Sequence, residues 1–141
     1  MATVYGANIT NLDASPAVLP DADDWHGKVR VQHDQYEASS LAAGSTITVA
    51  RLPAGARVVN WTVKADALGG SVTLKLGDAD DDDRYLAATT YNTANQAKQS
   101  KVDGPIAGVM YQHSSKTDLI ITTAGASATG TIESIVEYVV N

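Results

Sequence analysis

The sequence predicts an all-β protein, an antiparallel β-sandwich of jelly-roll type preceded by an extended N-terminal arm. Three observations favour this fold class: short segments that alternate apolar and polar residues, threonine at many of the polar positions, and turns rich in glycine and proline between segments. Alternation is typical of strands with one buried face, because successive side chains point to opposite sides of the sheet. We therefore divide the 141 residues into an arm, 1–27, and a sandwich domain, 28–141.

The arm is distinguished by its composition. Residues 1–27 hold four aspartates and two prolines, no lysine or arginine, and no sustained apolar period. Trp25, at the junction with the domain, is expected either to fix the arm to its own sandwich or to anchor a contact between subunits. The first residues, "MATVYGANIT", do not have the pattern of a signal peptide. The apolar runs of the chain fall well short of the ~18 residues that a membrane helix needs.

Alternating segments begin at Lys28 and continue to the end of the sequence. The first, "KVRVQHDQYEA", places Val29, Val31 and His33 on one face. In "ARVVNWTVKA", the predicted inward residues are Val59, Trp61 and Val63, and the outward ones are Asn60, Thr62 and Lys64. The apolar faces of other segments are Ile47 and Val49 in "STITVARL", Val72, Leu74 and Leu76 in "GSVTLKLG", and Ile132, Val136, Tyr138 and Val140 in "GTIESIVEYVVN".

Two further stretches complete the predicted domain. The segment "TDLIITTA", 117–124, is predicted to form a strand, whereas "ATTYNTANQAKQSK", 88–101, has no clear strand pattern and leaves open a long loop or one helical turn. Turns are predicted at 52–56, 68–70, 102–108 and 124–130, where glycine and proline concentrate.

The most unusual stretch is "LGDADDDDRYLA", 76–87, which contains five aspartates and one arginine within seven positions. Asp78, Asp80 and Asp82 match the first three carboxylate positions of an EF-hand calcium loop. The sixth position of such a loop requires glycine and the twelfth requires glutamate, but here they are Asp83 and Thr89. The match is therefore incomplete, and whether these aspartates bind a cation stays open.

The favoured interpretation of the aspartate run is a solvated loop between a strand that ends at Leu76 and a strand that begins at Arg84. An exposed loop tolerates such charge because water and salt screen the repulsion between carboxylates. The alternatives are an acidic contact to a basic partner and a calcium site.

No catalytic constellation is found, so the chain is predicted not to be an enzyme and to need no metal or cofactor. His26, His33 and His113 are far apart and lack metal-ligand spacing, cysteine is absent, and no nucleophile elbow or phosphate-binding loop occurs. A net charge of −6 without a basic stripe argues against nucleic-acid binding. The motifs "NIT", 8–10, and "NWT", 60–62, match the N-glycosylation pattern, which we attribute to chance.

Four stretches carry a resemblance to a known group of proteins. They are "YEASSLAAGSTITVARLPAGARVVNWTVKAD", "GSVTLKLGD", "DDDRYLAATT" and the closing "GTIESIVEYVVN". Together these stretches, within residues 28–141, resemble small virion proteins of tailed bacteriophages, of the type that decorates or cements the head. The shared features are structural rather than catalytic.

The resemblance implies a non-enzymatic protein that assembles in the host cytoplasm and binds the outer surface of the capsid. The implied partners are the major capsid protein and further copies of the chain in a homotrimer, with no nucleic acid and no membrane. Two alternatives stay open: a tail- or fibre-associated virion module, and a carbohydrate-binding β-sandwich. The latter would need an aromatic platform, for which Tyr85, Tyr91 and Tyr111 are the candidates.

Overall fold

Eight strands and little helix make up the protein, in a computed structural model that describes residues 2–5, 7–20, 25 and 27–140. The helices are α1 (Ala7–Leu12) and α2 (Ser100–Asp103), and a 3-10 turn spans Ile106–Gly108. The strands are β1 (Arg30–Leu41), β2 (Thr46–Leu52), β3 (Ala56–Ala65), β4 (Thr73–Gly77), β5 (Leu86–Thr90), β6 (Gln96–Gln99), β7 (Thr117–Ala124) and β8 (Ala128–Val140).

The strands form two four-stranded antiparallel sheets, in the orders β1-β8-β3-β6 and β2-β7-β4-β5. The first strand pairs with the eighth, the second with the seventh, the third with the sixth and the fourth with the fifth. The chain therefore doubles back on itself as one long antiparallel ribbon that wraps into two sheets. This is the jelly-roll arrangement, and the predicted fold class is confirmed.

Trp61 lies at the centre of the space between the sheets. Its side chain is fully buried, as predicted, and its indole Nε1–H donates a hydrogen bond of 2.8 Å to the Ser134 hydroxyl. The Tyr85 ring meets it edge to face at 5.8 Å between centroids. Because the sequence has no phenylalanine, Trp61, Tyr85 and Tyr91 supply the large core rings, and each finds a partner for its polar atom.

The prediction for β3 is wrong at two residues: Val59, predicted inward, and Asn60, predicted outward. A β-bulge between Val58 and Asn60 shifts the register against β8, so that Val58 is buried in the core and Val59 is only half-buried. Asn60, predicted outward, is also buried, because the segment after β6 covers it. Its side-chain carbonyl accepts the Lys101 backbone N–H at 3.4 Å.

The predicted apolar faces of β2, β4 and β8 match the structure. The apolar residues predicted to share a face, in these strands and just before β4, are buried or half-buried: Ile47, Val49, Val72, Leu74, Leu76, Ile132, Val136, Tyr138 and Val140. The face predicted for the first segment is instead exposed: Val29, Val31 and His33 point to solvent, while Ala38 contributes to the core. The segment 88–101, which the sequence analysis left as a long loop or one helical turn, contains the last residues of β5, all of β6 and the first residues of α2.

Within the predicted arm, residues 7–12 form α1 rather than extended backbone. The prolines at 16 and 20 lie beyond its end, so no missing backbone N–H interrupts it. None of its residues is buried. No helix in the described part of the chain is long and apolar enough to cross a membrane. Trp25 is half-buried, and His26 lies outside the described residues.

We expect Trp61→Ala to lower the free energy of unfolding by about 3–5 kcal/mol, because it leaves a cavity between the sheets and removes the partner of Ser134. Val102→Ala is the control: its side chain is 72% exposed, so the change should stay within about 0.5 kcal/mol. Urea unfolding followed by circular dichroism measures both. Equal losses in the two variants would contradict the assigned core.

Candidate assembly surface

The run of aspartates is not a uniformly solvated loop, because Asp78 is buried. Only 2% of Asp78 is exposed, and its carboxylate forms an ion pair with Arg84, with Nε 2.7 Å from Oδ2. The Arg84 Nη2 group also lies 3.4 Å from Oδ1, which accepts the backbone N–H groups of Asp80 and Asp81 at 3.0 Å each. The strand predicted to begin at Arg84 begins two residues later, because Arg84 turns inward to this pair.

The ion pair keeps Asp78 ionised. Burial alone would raise the pKa of Asp78, but the Arg84 hydrogen bond, the backbone N–H of Asp81 and the Arg84 charge together hold that pKa below its usual value. Both carboxylate oxygens are therefore already engaged by the protein.

The three aspartates of the alternative calcium site, Asp78, Asp80 and Asp82, are not brought together. Asp78 is in the ion pair, whereas Asp80 and Asp82 are exposed. Among the described residues, the carboxylates that approach one another are those of Asp81, Asp82 and Asp83, whose oxygens lie within 4.8 Å. Lys75 Nζ is 3.0 Å from the Asp82 carboxylate, which offsets part of this charge. Exposed acidic groups of this kind are common without a metal ion, so the prediction of no metal stays a prediction.

A buried polar chain continues from Asp78 toward the core. His113 Nδ1 lies 3.9 Å from the Asp78 carboxylate, and Nε2 lies 2.7 Å from the Tyr85 hydroxyl. Burial raises the pKa of Tyr85, so the hydroxyl keeps its proton, and the histidine tautomer decides which of the two groups donates the hydrogen bond. Burial lowers the pKa of His113, although the Asp78 charge opposes this shift. The Tyr85–His113–Asp78 order resembles a catalytic relay, but only 1% of Tyr85 is exposed.

The same cluster holds an exposed aromatic ring in place. The Arg84 guanidinium carbon lies 3.8 Å from the centre of the Tyr111 ring, a cation–π contact. The Tyr111 ring also meets His113 edge to face at 5.2 Å. One side of Tyr111 is therefore packed on the buried charges, while 38% of the residue is open to solvent.

Tyr111 ends a segment that we call the apolar loop, residues 100–111, which contains α2 and the 3-10 turn. It presents four large apolar residues to solvent: Val102 (72% exposed), Ile106 (89%), Val109 (59%) and Tyr111. Scattered single apolar residues are normal on a protein surface, but several in one short segment make this loop a candidate binding surface.

The apolar loop is fixed rather than loose. A Cβ atom on Gly104 would lie 2.1 Å from the Tyr85 carbonyl oxygen, and one on Gly108 would lie 2.4 Å from the Arg84 carbonyl oxygen. Only glycine allows the two backbones to approach this closely. The Ser100 hydroxyl accepts the Trp61 backbone N–H at 2.9 Å, which ties the start of the loop to the core.

Near the end of the loop, Met110 has a φ of +54°. This is the left-handed region that residues other than glycine seldom occupy, and such conformations persist only where the surroundings hold them. A preformed apolar surface is suited to binding because little conformational entropy is lost when a partner docks.

The three tyrosines considered for the alternative sugar-binding function do not form an exposed platform. Tyr85 and Tyr91 are buried, and their hydroxyls bond His113 and the Val63 carbonyl oxygen. Tyr111 alone of the three offers a ring to solvent, which is too little for a stacking platform.

Two other candidate residues, His33 and Asn60, do not form a site with the aspartate run. His33 is at the surface of β1, 3.7 Å from Glu133, and does not meet His113. In the "NWT" motif, Asn60 is buried in folded protein, so its side chain is not open to modification.

Sequence reasoning missed the apolar loop, which it treated as a turn at 102–108. The signal was present in "VDGPIAGVMY", where five large apolar residues, including Met110, lie among the glycines and proline of a non-strand segment. Turns between strands are usually polar, so this composition was the available indication.

No protein-family model and no curated protein sequence matches the chain. Several solved structures, in contrast, are similar to the chain in fold. A chain of the cyanophage Pam1 capsid asymmetric unit superposes with a TM-score of 0.71 and 24% identity, covering 92% of this chain and 97% of that one. A chain in the capsid of Ralstonia phage GP4 gives 0.65 and 22%, covering 88% and 90%. A chain in the acidic stable capsid structure of Helicobacter pylori bacteriophage KHP30 gives 0.59 and 14%, covering 79% and 87%. These likenesses establish the shared fold.

We expect Asp78→Ala to destabilise the protein by about 3–5 kcal/mol, because it leaves the Arg84 charge buried without its partner. Asp80→Ala, two residues along and exposed, should cost no more than about 0.5 kcal/mol. Melting of the two variants with calcium or magnesium completes the measurement. A stabilisation by calcium alone, lost when Asp80 and Asp82 are both replaced by asparagine, would show a cation site instead.

Because burial lowers the pKa of His113, we expect the free energy of unfolding to depend on pH. Its pKa is lower in the folded protein than in the unfolded chain, where it is about 6.5. Above about pH 6.5 His113 is mostly neutral in both the folded and the unfolded protein, and the free energy of unfolding is not reduced by its titration. As the pH falls below that value, the unfolded chain gains a proton at His113 before the folded protein does, so the free energy of unfolding declines. Denaturant unfolding at intervals between pH 7.5 and 5.5 should show this decline. His113→Gln should flatten the profile, and an unchanged slope in that variant would refute the assignment.

Proposed function

We propose that this chain is a structural protein of a tailed-bacteriophage capsid, of the decoration or cement type. In this role it binds the major capsid protein on the outer surface of the head, associates as a homotrimer and stabilises the shell without catalysing a reaction. The observation that most supports the proposal is the shared fold over 92% of this chain and 97% of a chain in a phage capsid. The resemblance of residues 28–141 to head-decoration proteins supports it from the sequence.

The surface of the protein fits a binding role. The jelly roll supplies a rigid body, and the apolar loop and the arm supply exposed apolar residues. Each contact removes apolar surface from water and contributes about 25 cal/mol per Å², offset by the cost of association. A shell presents many equivalent sites, so subunits that associate with one another gain further affinity by binding several sites together.

The decisive test is to add the purified protein to phage heads that lack it. We expect saturable binding, a higher temperature of head disruption, and density on the outer face of the shell in images of the particles. A specific location at the tail, with none on the head, would overturn the decoration role and favour a tail module.

Deletion of residues 1–24 should separate folding from assembly. The truncated protein should still melt cooperatively, because α1 buries no residue and the arm adds little to the core. Its binding to heads should weaken, since the arm is expected to serve attachment to the shell or to neighbouring copies. Calorimetry of the truncated protein, followed by sedimentation with heads, tests this. Loss of the cooperative transition, or head binding at full strength, would contradict the role given to the arm.

A further inference from the structure

We propose that the apolar loop and the aspartates beside it form one docking surface, and that its occupant is a basic segment of the major capsid protein. The aspartates concerned are Asp80–Asp83, which we call the acidic tip. The inference rests on the proposed function and deepens it. It states which face of this chain meets the shell, and which chemistry the partner brings: apolar side chains with lysine or arginine next to them.

The apolar loop and the acidic tip are contiguous, because Arg84 lies between them. Its guanidinium carbon is 3.8 Å from the centre of the Tyr111 ring, and its Nη1 is 4.0 Å from a carboxylate oxygen of Asp81. Gly108 packs against the Arg84 carbonyl oxygen, so the loop follows the backbone that leaves the tip. One partner can therefore contact the exposed side chains of the loop and the carboxylates of the tip together.

The aspartate run retains negative charge after the nearby cations are counted. Five aspartates occupy residues 78–83. The cations that lie beside them in the described structure are Arg84, Lys75 and Lys116. A further cation near Lys116, Arg51, is paired with Asp118 at 3.4 Å. Five carboxylates against three cations leave a charge of −2.

The carboxylates of the tip are close enough to disfavour one another's ionisation. Those of Asp81, Asp82 and Asp83 have oxygens within 4.8 Å of one another. The pKa of Asp83 is raised, first by its hydrogen bond with Asp81 and further by burial and by the charges of Asp81 and Asp82. A lysine or arginine from a partner would favour the ionised form of all three, so the tip is suited to receive a cation from another protein.

The apolar loop itself is close to neutral. Lys98, just before the loop, and Asp103 lie 4.0 Å apart. Lys101 is exposed, and its backbone N–H donates to the Asn60 side chain on β3. The docking surface therefore has one positive charge at the Lys101 end of the loop and a negative end at Tyr111 and the acidic tip. We expect the basic residues of the partner to face the Tyr111 end.

A second copy of this chain is a poor source of those basic residues. The net charge of the chain is −6, and its densest basic segment, residues 28–30, follows aspartates at positions 21, 23 and 24. Complementary charge orients partners and fixes their register, whereas like charges oppose the contact. In the proposed function, the remaining partner is the major capsid protein.

Binding to heads that lack the protein tests the surface with two double variants. Asp81→Asn with Asp83→Asn removes charge and keeps shape, whereas Ile106→Ser with Val109→Ser removes apolar contact. We expect each to raise the dissociation constant at least about tenfold, because residues at the centre of a contact carry most of its binding free energy. The four side chains are accessible to solvent, so both variants are expected to fold, which thermal melting verifies.

The controls make the same two kinds of change at the outer face of the β1-β8-β3-β6 sheet. Glu133→Gln with Glu137→Gln removes two carboxylates from β8. Val29→Ser with Val31→Ser replaces two valines that are 54% and 60% exposed. We expect both controls to bind heads as the wild-type protein does. Equal losses in the controls, or unchanged binding of either test variant, would overturn the proposal.

Salt provides an independent readout of the charge. Raising sodium chloride from about 0.05 to about 0.5 M shortens the range of electrostatic interactions, so wild-type binding to heads should weaken. The variant with asparagine at 81 and 83 should depend less on salt, because it has fewer charges to screen. A salt dependence equal to that of the wild-type protein would contradict a basic partner at the tip.

A cross-link identifies the occupant. Ala79 is exposed beside the tip, and the chain has no cysteine of its own, so Ala79→Cys can carry a single photoreactive maleimide label. Illumination of the labelled protein on heads should give adducts with a peptide of the major capsid protein that contains or adjoins lysine or arginine. Absence of such adducts, or adducts with a second copy of this chain in their place, would overturn the proposal.

The outcomes separate this inference from the proposed function. If the wild-type protein does not bind heads, the capsid role is refuted, and this surface with it. If the wild-type protein binds and both test variants bind equally well, the capsid role stands and this surface alone is refuted. Sedimentation equilibrium completes the set: dissociation of the oligomer by the Ile106→Ser, Val109→Ser variant would assign the apolar loop to a contact between copies and overturn the proposal.

Discussion

The buried ion pair between Asp78 and Arg84 organises the end of the molecule that carries the apolar loop. It turns the aspartate run inward at its first residue, places a cation beneath the Tyr111 ring and sets a negative charge beside His113. Desolvation of two charges offsets much of their attraction, so such a pair contributes less to net stability than to fixing one arrangement. Here the arrangement fixed is that of the apolar loop, whose glycines lie against the backbone of Arg84 and Tyr85.

Most of the fold could be predicted from the sequence because the alternation of apolar and polar residues along a strand indicates which of its faces is buried. It worked on β4 and β8, where buried and less buried residues alternate along most of the strand. It failed at Val59 because a bulge inserts a residue and reverses the period, and nothing in "RVVNW" signals the bulge. It failed at Asn60 for another reason: the residue faces outward, but a distant segment covers it and supplies Lys101 as a partner.

The assembly surface was less predictable than the core. Five aspartates look alike in sequence, and only the folded chain shows that Asp78 faces Arg84 while Asp80 and Asp82 face water. His113 is twenty-nine residues from Arg84, and local spacing carries no information about such a contact. Exposure of Ile106 is likewise a property of the folded surface. Composition could have indicated it, since large apolar residues in a glycine- and proline-containing loop lack the period that would bury them.

The edges of the sheet that contains β1 and β6 are poorly suited to association by added strands. An open edge strand invites pairing with another chain unless it is short, charged or covered. The β6 edge has only four residues, and the β1 edge is bridged to the other sheet by Gln32, whose amide bonds the Arg51 backbone N–H at 2.9 Å and carbonyl oxygen at 2.8 Å. Strand addition at these edges is therefore disfavoured.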